Sequence, residues 1–204
     1  MKKNILGILV LTIAVICAIV LMNRTTPFEA VQIFRDNNNT QEHTLIDIEE
    51  VEGGLMLYSV AKVNNGEDNM YFSDMVEKSL MGYTWLGGGG HINKGIFQDE
   101  FLFSAQLLNE NQNVRPTIMG ICLNEEIEKI TLISNGLSKS ANFLSGKDEN
   151  ERLYYIPLSE PVSKNNNFIF LVEYSSGSSS KYDVLEEDIE EFQKGGLIEY
   201  FMEE

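Results

Sequence analysis

The pattern of apolar and polar residues predicts one long apolar segment followed by many short strands. Residues 5–22 form an unbroken apolar run of 18 residues in which Thr12 is the one polar side chain. That length fits a membrane-spanning helix, which needs about 17–25 mostly apolar residues. Beyond it, short apolar segments recur between residues that favour turns.

A short helix is predicted directly after the apolar run. Thr26, Pro27 and Glu29 have the spacing of a helical capping box with proline at the first helical position. The apolar residues that follow at helical spacing are Phe28, Val31, Ile33 and Phe34. The polar run 36–40 is expected to end this helix.

The remainder of the chain is predicted to be mainly β. The candidate strands are 43–51, 55–63, 70–76, 81–86, 101–108, 117–123, 129–134, 141–144, 153–158, 168–174 and 181–185. Leu185, Ile189 and Phe192 predict a second helix whose cap is Asp183, with residues 197–201 as a further apolar stripe of this helical end. Because no long helices alternate with the strands, we expect an antiparallel β-sandwich or a partly open barrel, flanked by short N- and C-terminal helices.

Charge predicts how the chain is placed. Lys2 and Lys3 precede the apolar run, and the positive-inside rule then keeps the N-terminus in the cytoplasm. The expected division is a basic cytoplasmic start (1–4), a transmembrane signal anchor (5–22) and a single extracytoplasmic β-rich domain (23–204). A cleaved signal peptide is disfavoured because residues 21–25 do not provide the small residues that signal peptidase needs. A lipid anchor on Cys17 is disfavoured because the preceding residue, Ile16, is not small. These two remain the alternatives.

Composition then excludes several classes of partner. The chain of 204 residues has 31 acidic and 15 basic residues, a net charge of −16. Such a balance argues against binding to nucleic acid and against docking on lipid through a polybasic patch. Cys122 is the one cysteine beyond the apolar run, and its apolar neighbours predict a buried core residue.

The most unusual local feature is the glycine run that follows Trp85. Four consecutive glycines allow another backbone or a ligand to approach closely. One interpretation is a mobile turn or a distorted strand, and the other is a ligand-binding loop in which Trp85 stacks and His91 forms hydrogen bonds. The candidate binding residues are Trp85, Gly87, Gly88, Gly89, Gly90 and His91.

No pattern predicts a catalytic residue, a metal site or a cofactor. His43 and His91 are the two histidines, and neither has a ligand partner at the spacing of a zinc site. The acidic residues 186–191 lack the spacing of a calcium loop and are expected to form the solvated face of the second helix. Paired carboxylates depend on spatial proximity, so the sequence does not select a pair.

The layout resembles that of uncharacterised single-pass exported proteins of low-GC Gram-positive bacteria. The residues that carry the resemblance are Lys2, Lys3, the run 5–22 and the segment TPFEAV at 26–31. It implies a protein of the cell membrane with its C-terminal domain outside the cell, and it assigns no catalytic residue.

Two functions from different classes follow. The first is a membrane-anchored extracytoplasmic binding or interaction domain without catalysis, held to the membrane by residues 5–22 and facing an envelope protein or the cell wall. The second is a cell-envelope hydrolase that uses spatially paired carboxylates, assisted by His91. A purely structural component is a third interpretation.

Overall fold

The structure of the protein is a computed structural model. It describes residues 12, 25–37, 43–63, 68–80, 82–93, 102–108, 114, 116–145, 152–159 and 167–201. The predicted membrane anchor at 5–22 lies outside these residues, except for Thr12. Within the described part of the chain, no helix is long and apolar enough to cross a membrane.

Two short helices and thirteen strands make up the described fold. The helices are α1 (Pro27–Asn37) and α2 (Glu186–Gln193). The strands are β1 (His43–Val51), β2 (Gly54–Val63), β3 (Asp68–Ser79), β4 (Gly82–Asn93), β5 (Phe103–Leu108), β6 (Thr117–Cys122), β7 (Ile127–Ser134), β8 (Leu137–Ser140), β9 (Asn142–Ser145), β10 (Arg152–Pro157), β11 (Phe168–Tyr174), β12 (Ser179–Val184) and β13 (Leu197–Tyr200).

The strands form three sheets. The first sheet has the order β1-β2-β3-β4, the middle sheet β13-β5-β6-β10-β9 and the third sheet β12-β11-β7-β8. All pairings between these strands are antiparallel. The prediction of a mainly β, antiparallel fold with two short helices is therefore confirmed.

Shared cores show that the three sheets are stacked as layers. One buried cluster joins the first sheet to the middle sheet, where the rings of Tyr58 and Tyr155 stack with centroids 3.8 Å apart. A larger cluster joins the middle sheet to the third sheet through Phe103 and Phe170, and it also buries the apolar side of α2. A small cluster packs α1 on the outer face of the first sheet.

The middle sheet is buried on both faces. In β10, Leu153 and Tyr155 face the first sheet while Tyr154 and Ile156 face the third. Strands buried on both faces have near-continuous apolar sequences, and such sequences show burial without showing how many sheets supply it. The sequence therefore predicted the strands but did not predict a third layer.

The start of α1 agrees with its predicted capping box. The Thr26 backbone N–H donates to Glu29 Oε2 at 2.7 Å, and the Glu29 backbone N–H donates to Thr26 Oγ1 at 3.2 Å. Ala30 and Val31 are buried against the first sheet. The prediction was wrong for Ile33, which is half exposed, because the inward side of the helix is rotated towards Ala30.

The C-terminal region differs from its prediction in two places. Helix α2 begins after Leu185, whose N–H donates to Asp188 Oδ2 at 2.8 Å, so the prediction that Asp183 caps it was wrong. Leu185 is exposed, whereas Ile189 and Phe192 are buried as predicted. Residues 197–200 form the edge strand β13, which pairs with β5 instead of continuing the helix, and Ile198 and Tyr200 pack into the core between the middle and third sheets.

We predict that Gly120→Ala in β6 destabilises the domain by about 3 kcal/mol or more, because a Cβ there would lie 1.9 Å from the Ser104 carbonyl oxygen and 2.6 Å from the Tyr154 ring. The measurement is urea unfolding of the full chain. The control is Gly136→Ala, where a Cβ meets nothing within 4 Å and the cost is about 1–2 kcal/mol from the positive φ alone. Equal losses in the two variants would contradict the packing of the middle sheet.

Candidate functional site

Trp85 lies between α1 and the first sheet. Its ring stacks on Phe34 with centroids 3.5 Å apart and an interplanar angle of 12°. Its Nε1–H donates to Asp74 Oδ1 at 2.8 Å. The indole ring and its N–H group thus both form contacts within the protein, and the indole joins α1 to strands β3 and β4.

Arg35 and Asp74 form a buried ion pair at the same place. Arg35 Nη2 donates to Asp74 Oδ1 at 2.8 Å, and the two side chains are 10% and 1% exposed. The guanidinium also lies over the Phe72 ring, 4.4 Å from its centroid. One carboxylate oxygen therefore accepts hydrogen bonds from both α1 and β4.

The environment of Asp74 opposes its charge. Burial raises the pKa of the Asp74 carboxyl above its ordinary value, and the charge of Arg35 with the hydrogen bonds from Trp85 and Arg35 offsets this effect only in part. Its other oxygen, Oδ2, is buried without a hydrogen-bond partner among the described residues. A desolvated pair of this kind is stable only while both partners stay in place.

The glycine run is part of strand β4 and pairs with β3. Gly87, Gly88, Gly89 and Gly90 lie opposite Met75, Asp74, Ser73 and Phe72, with bulges on either side. Of the two interpretations given by the sequence, the distorted strand describes the observed backbone. Bulges bend and twist a strand locally, and they are frequent at sheet edges.

Neighbouring side chains occupy the space beside three of the four glycines. A Cβ on Gly88 would lie 2.0 Å from Asp74 Oδ1, and one on Gly90 would lie 2.1 Å from the Phe72 ring. On the other face, a Cβ on Gly87 would lie 2.3 Å from the Val114 side chain. The absence of side chains at these positions is therefore explained by packing.

The candidate binding residues all belong to one strand, β4. Trp85 faces α1, and the glycines follow it along β4. His91 belongs to the same strand by its backbone, and its side chain lies outside the described residues. Whether these residues bind a ligand stays a prediction.

Strand β4 is an edge of the first sheet. Among the strands that the structure describes, β3 is its single partner. An unpaired edge presents a row of backbone N–H and C=O groups that another extended segment can join. The stretch from Tyr83 to Gly90 carries no charged residue and no proline, the two residue types that most often protect an edge.

At its start, β4 is joined to the segment that leads into α1. The Tyr83 N–H lies 2.9 Å from Thr25 Oγ1 and 3.2 Å from the Thr25 carbonyl oxygen, and the Thr25 hydroxyl donates to the Tyr83 carbonyl oxygen at 2.8 Å. Gly82 has a φ of +113°, and a Cβ there would lie 2.4 Å from the Thr25 carbonyl oxygen. This close approach fixes Thr25 to the hairpin formed by β3 and β4.

Among the described residues, burial, Arg35 and Trp85 set the electrostatic environment of Asp74. No second carboxyl group contributes to the raised pKa of Asp74. In the described ranges, no three or more His, Cys, Asp or Glu side chains lie close enough to hold a metal ion. His43 is a buried residue whose Nδ1 lies 3.3 Å from Ser59 Oγ, and its ring packs against Phe72.

Cys122 is a buried free cysteine, as predicted. Burial raises the pKa of its thiol, and the charge of Arg152, whose Nη2 lies 3.5 Å from Sγ, acts in the opposite direction. A desolvated thiol with a raised pKa has little thiolate and is a poor nucleophile.

Sequence reasoning missed Arg35, Asp74 and Thr25. A basic residue in the last turn of a short helix has an ordinary explanation in the helix dipole, and Asp74 interrupts an apolar strand without any motif. The one usable signal was the polar residue at 74 in a strand that is otherwise largely apolar on that face. Finding its partner required the fold.

Comparison with known proteins gives no relative. No family model, curated protein or solved structure matches the chain.

We predict that Gly88→Ala displaces Asp74 from its donors and costs about 3 kcal/mol or more, because it breaks a buried ion pair. Urea unfolding of the full chain gives the cost, and the emission of Trp85, the single tryptophan, reports on the indole environment. Gly177→Ala is the control, with a Cβ that meets nothing within 4 Å and a cost of about 1–2 kcal/mol from its positive φ alone. An unfolding energy and an emission spectrum that match those of the control would show that Gly88 is not required by packing.

Proposed function

We propose that the protein is a membrane-anchored extracytoplasmic interaction domain, non-enzymatic, with the first 22 residues as cytoplasmic start and uncleaved span. The observation that carries this proposal is the attachment of Thr25 to Tyr83. Thr25 lies three residues after Met22, the last residue of the apolar run. Three residues reach at most about 10 Å, so the domain stands close to the membrane without a long linker.

The interaction surface in this proposal is the edge of β4 beyond its bridge to Thr25, which no second strand of the described residues pairs with. Gly88, Gly89 and Gly90 are partly exposed and carry no side chain, and β3 is the one described strand that pairs with them. An extended segment of an envelope protein can add to such an edge as a further strand, with main-chain hydrogen bonds supplying affinity. Trp85 then acts by holding β4 in position rather than by stacking on the ligand, since its ring is covered by Phe34.

The hydrolase alternative has less support from the geometry. It requires a carboxyl group with a raised pKa beside a second acid, within a cleft that admits substrate. Asp74 has the raised pKa, but it is 1% exposed at its side chain and is paired with Arg35. The burial of Asp74 and its pairing with Arg35 are explained by their packing role between α1 and the first sheet, without any catalytic role.

One set of cysteine variants tests both parts of the proposal. In a Cys17→Ser background, Thr84→Cys on β4, Ser138→Cys on β8 and Asn4→Cys at the start are each exposed to a membrane-impermeant, photoactivatable maleimide in intact cells. Thr84 and Ser138 are exposed, and Cys122 is buried. We expect attachment at positions 84 and 138 but not at 4, and on illumination a cross-link to another protein from position 84 only.

Each part of this experiment fails separately. Attachment at position 4 or its absence at 84 and 138 would contradict the topology. Attachment followed by the same cross-links from 84 and 138, or by none from 84, would contradict the assignment of the β4 edge as the interaction surface.

A further inference from the structure

The turn between β3 and β4 carries the most exposed large apolar side chain of the described residues. Leu80 is 85% exposed. The hairpin that carries it extends beyond the neighbouring turn between β1 and β2, because β2 begins opposite Val76 and Glu77 whereas β3 continues to Ser79. Two residue pairs, Lys78 with Tyr83 and Ser79 with Gly82, therefore project past the start of β2, a distance of about 7 Å.

The projecting hairpin is the part of the domain to which Thr25 is fixed. Thr25 forms a β-bridge with Gly82, two residues after Leu80, and hydrogen bonds with Tyr83. An open depression of about 770 Å³ lies between the hairpin and the start of α1, lined in part by Thr25, Pro27 and Leu80. Leu80 stands at the rim of this depression and is not covered by the protein.

The chain length between Thr25 and the apolar run limits how far this turn lies from the membrane. Thr25 lies three residues after Met22, which allows a separation of at most about 10 Å. The headgroup region adds about 5–7 Å to each side of a hydrocarbon core of about 30 Å. The end of a membrane span and the projecting turn are thus held at the same level, that of the lipid headgroups.

The geometry points to a second membrane contact: the β3–β4 turn docks on the lipid surface, with Leu80 entering the boundary between headgroups and acyl chains. This inference rests on the proposed membrane anchor. Lys78 is exposed near the end of β3, two residues before Leu80, and is placed to meet lipid phosphate, while Leu80 supplies the apolar contact. The net negative charge of the chain excludes a broad electrostatic contact, so the membrane-facing area is restricted to this tip.

Such a contact orients the domain. A single span with a short connection allows the domain to tilt, whereas a span and a lipid-bound turn beside it define a fixed direction. Helix α1 then runs away from the membrane, so that Ile33, seven residues beyond Thr26, lies about 10 Å further out. The glycine part of β4 is likewise directed away from the lipid, since it follows the turn along the same strand.

The test places an environment-sensitive fluorophore at two exposed apolar positions. In the Cys17→Ser background, Leu80→Cys and the control Ile33→Cys are labelled with nitrobenzoxadiazole, and the full chain is reconstituted into phosphatidylethanolamine–phosphatidylglycerol vesicles. Ile33 is 52% exposed and lies on α1. We expect a blue-shifted emission at position 80 that a spin-labelled lipid quenches, and little quenching at position 33.

Flotation of the vesicles separates the two levels of the argument. If the chain floats with the vesicles but the label at position 80 is not quenched, the lipid contact is wrong and the anchor stands. Equal quenching at positions 33 and 80 would mean that α1 lies on the lipid, which also contradicts docking through the turn. A chain that does not float with the vesicles would overturn the anchor and this inference together.

Discussion

The buried ion pair between Arg35 and Asp74 is the interaction on which the arrangement around α1 depends. Asp74 Oδ1 accepts hydrogen bonds from Arg35 and from Trp85, so a single oxygen joins α1, β3 and β4. Removing one partner of such a pair costs about 3–5 kcal/mol, since it leaves an uncompensated buried charge. That cost is a large fraction of the 5–15 kcal/mol that stabilises a typical domain.

The glycines of β4 are explained in part by Asp74. On the neighbouring strand β3, Asp74 lies opposite Gly88 and Phe72 lies opposite Gly90, and their side chains occupy the space where Cβ atoms of these glycines would be. The same glycines leave the outer edge of β4 without side chains, which makes it suited to pairing with another extended segment. A packing requirement on one side of the strand thus produces the surface proposed for interaction on the other.

Thr25, at the start of the described domain, is attached to the outer layer of the stacked sheets. The middle sheet is covered on both faces, and the first sheet is covered by α1 on its outer side. Thr25 connects directly to this outer layer at the β3–β4 hairpin. In our proposal the membrane span therefore continues into a rigid layer of the domain instead of a flexible linker.

The sequence predicted local features well and spatial partners poorly. Capping of α1 and the bounds of β1 and β11 depend on neighbouring residues, and they were predicted closely. Strand β8 is exposed along its whole length and has no apolar pattern, so it was missed, and β13 was assigned to a helix because four residues do not define a period. The glycine run was visible in the sequence, but the reason for glycine at 88 and 90 is the space taken by the side chains of Asp74 and Phe72, which lie on another strand.

A double-mutant cycle on the ion pair tests the central claim most directly. The free energy of unfolding of the full chain in detergent micelles is measured for the unchanged protein, Arg35→Met, Asp74→Asn and the double variant. If one shared carboxylate joins α1 to the first sheet, the double variant loses less than the sum of the single losses, with a coupling of about 1–3 kcal/mol. Losses that add to within about 0.5 kcal/mol would show that the two residues act independently, and the account of α1 and β4 would be wrong.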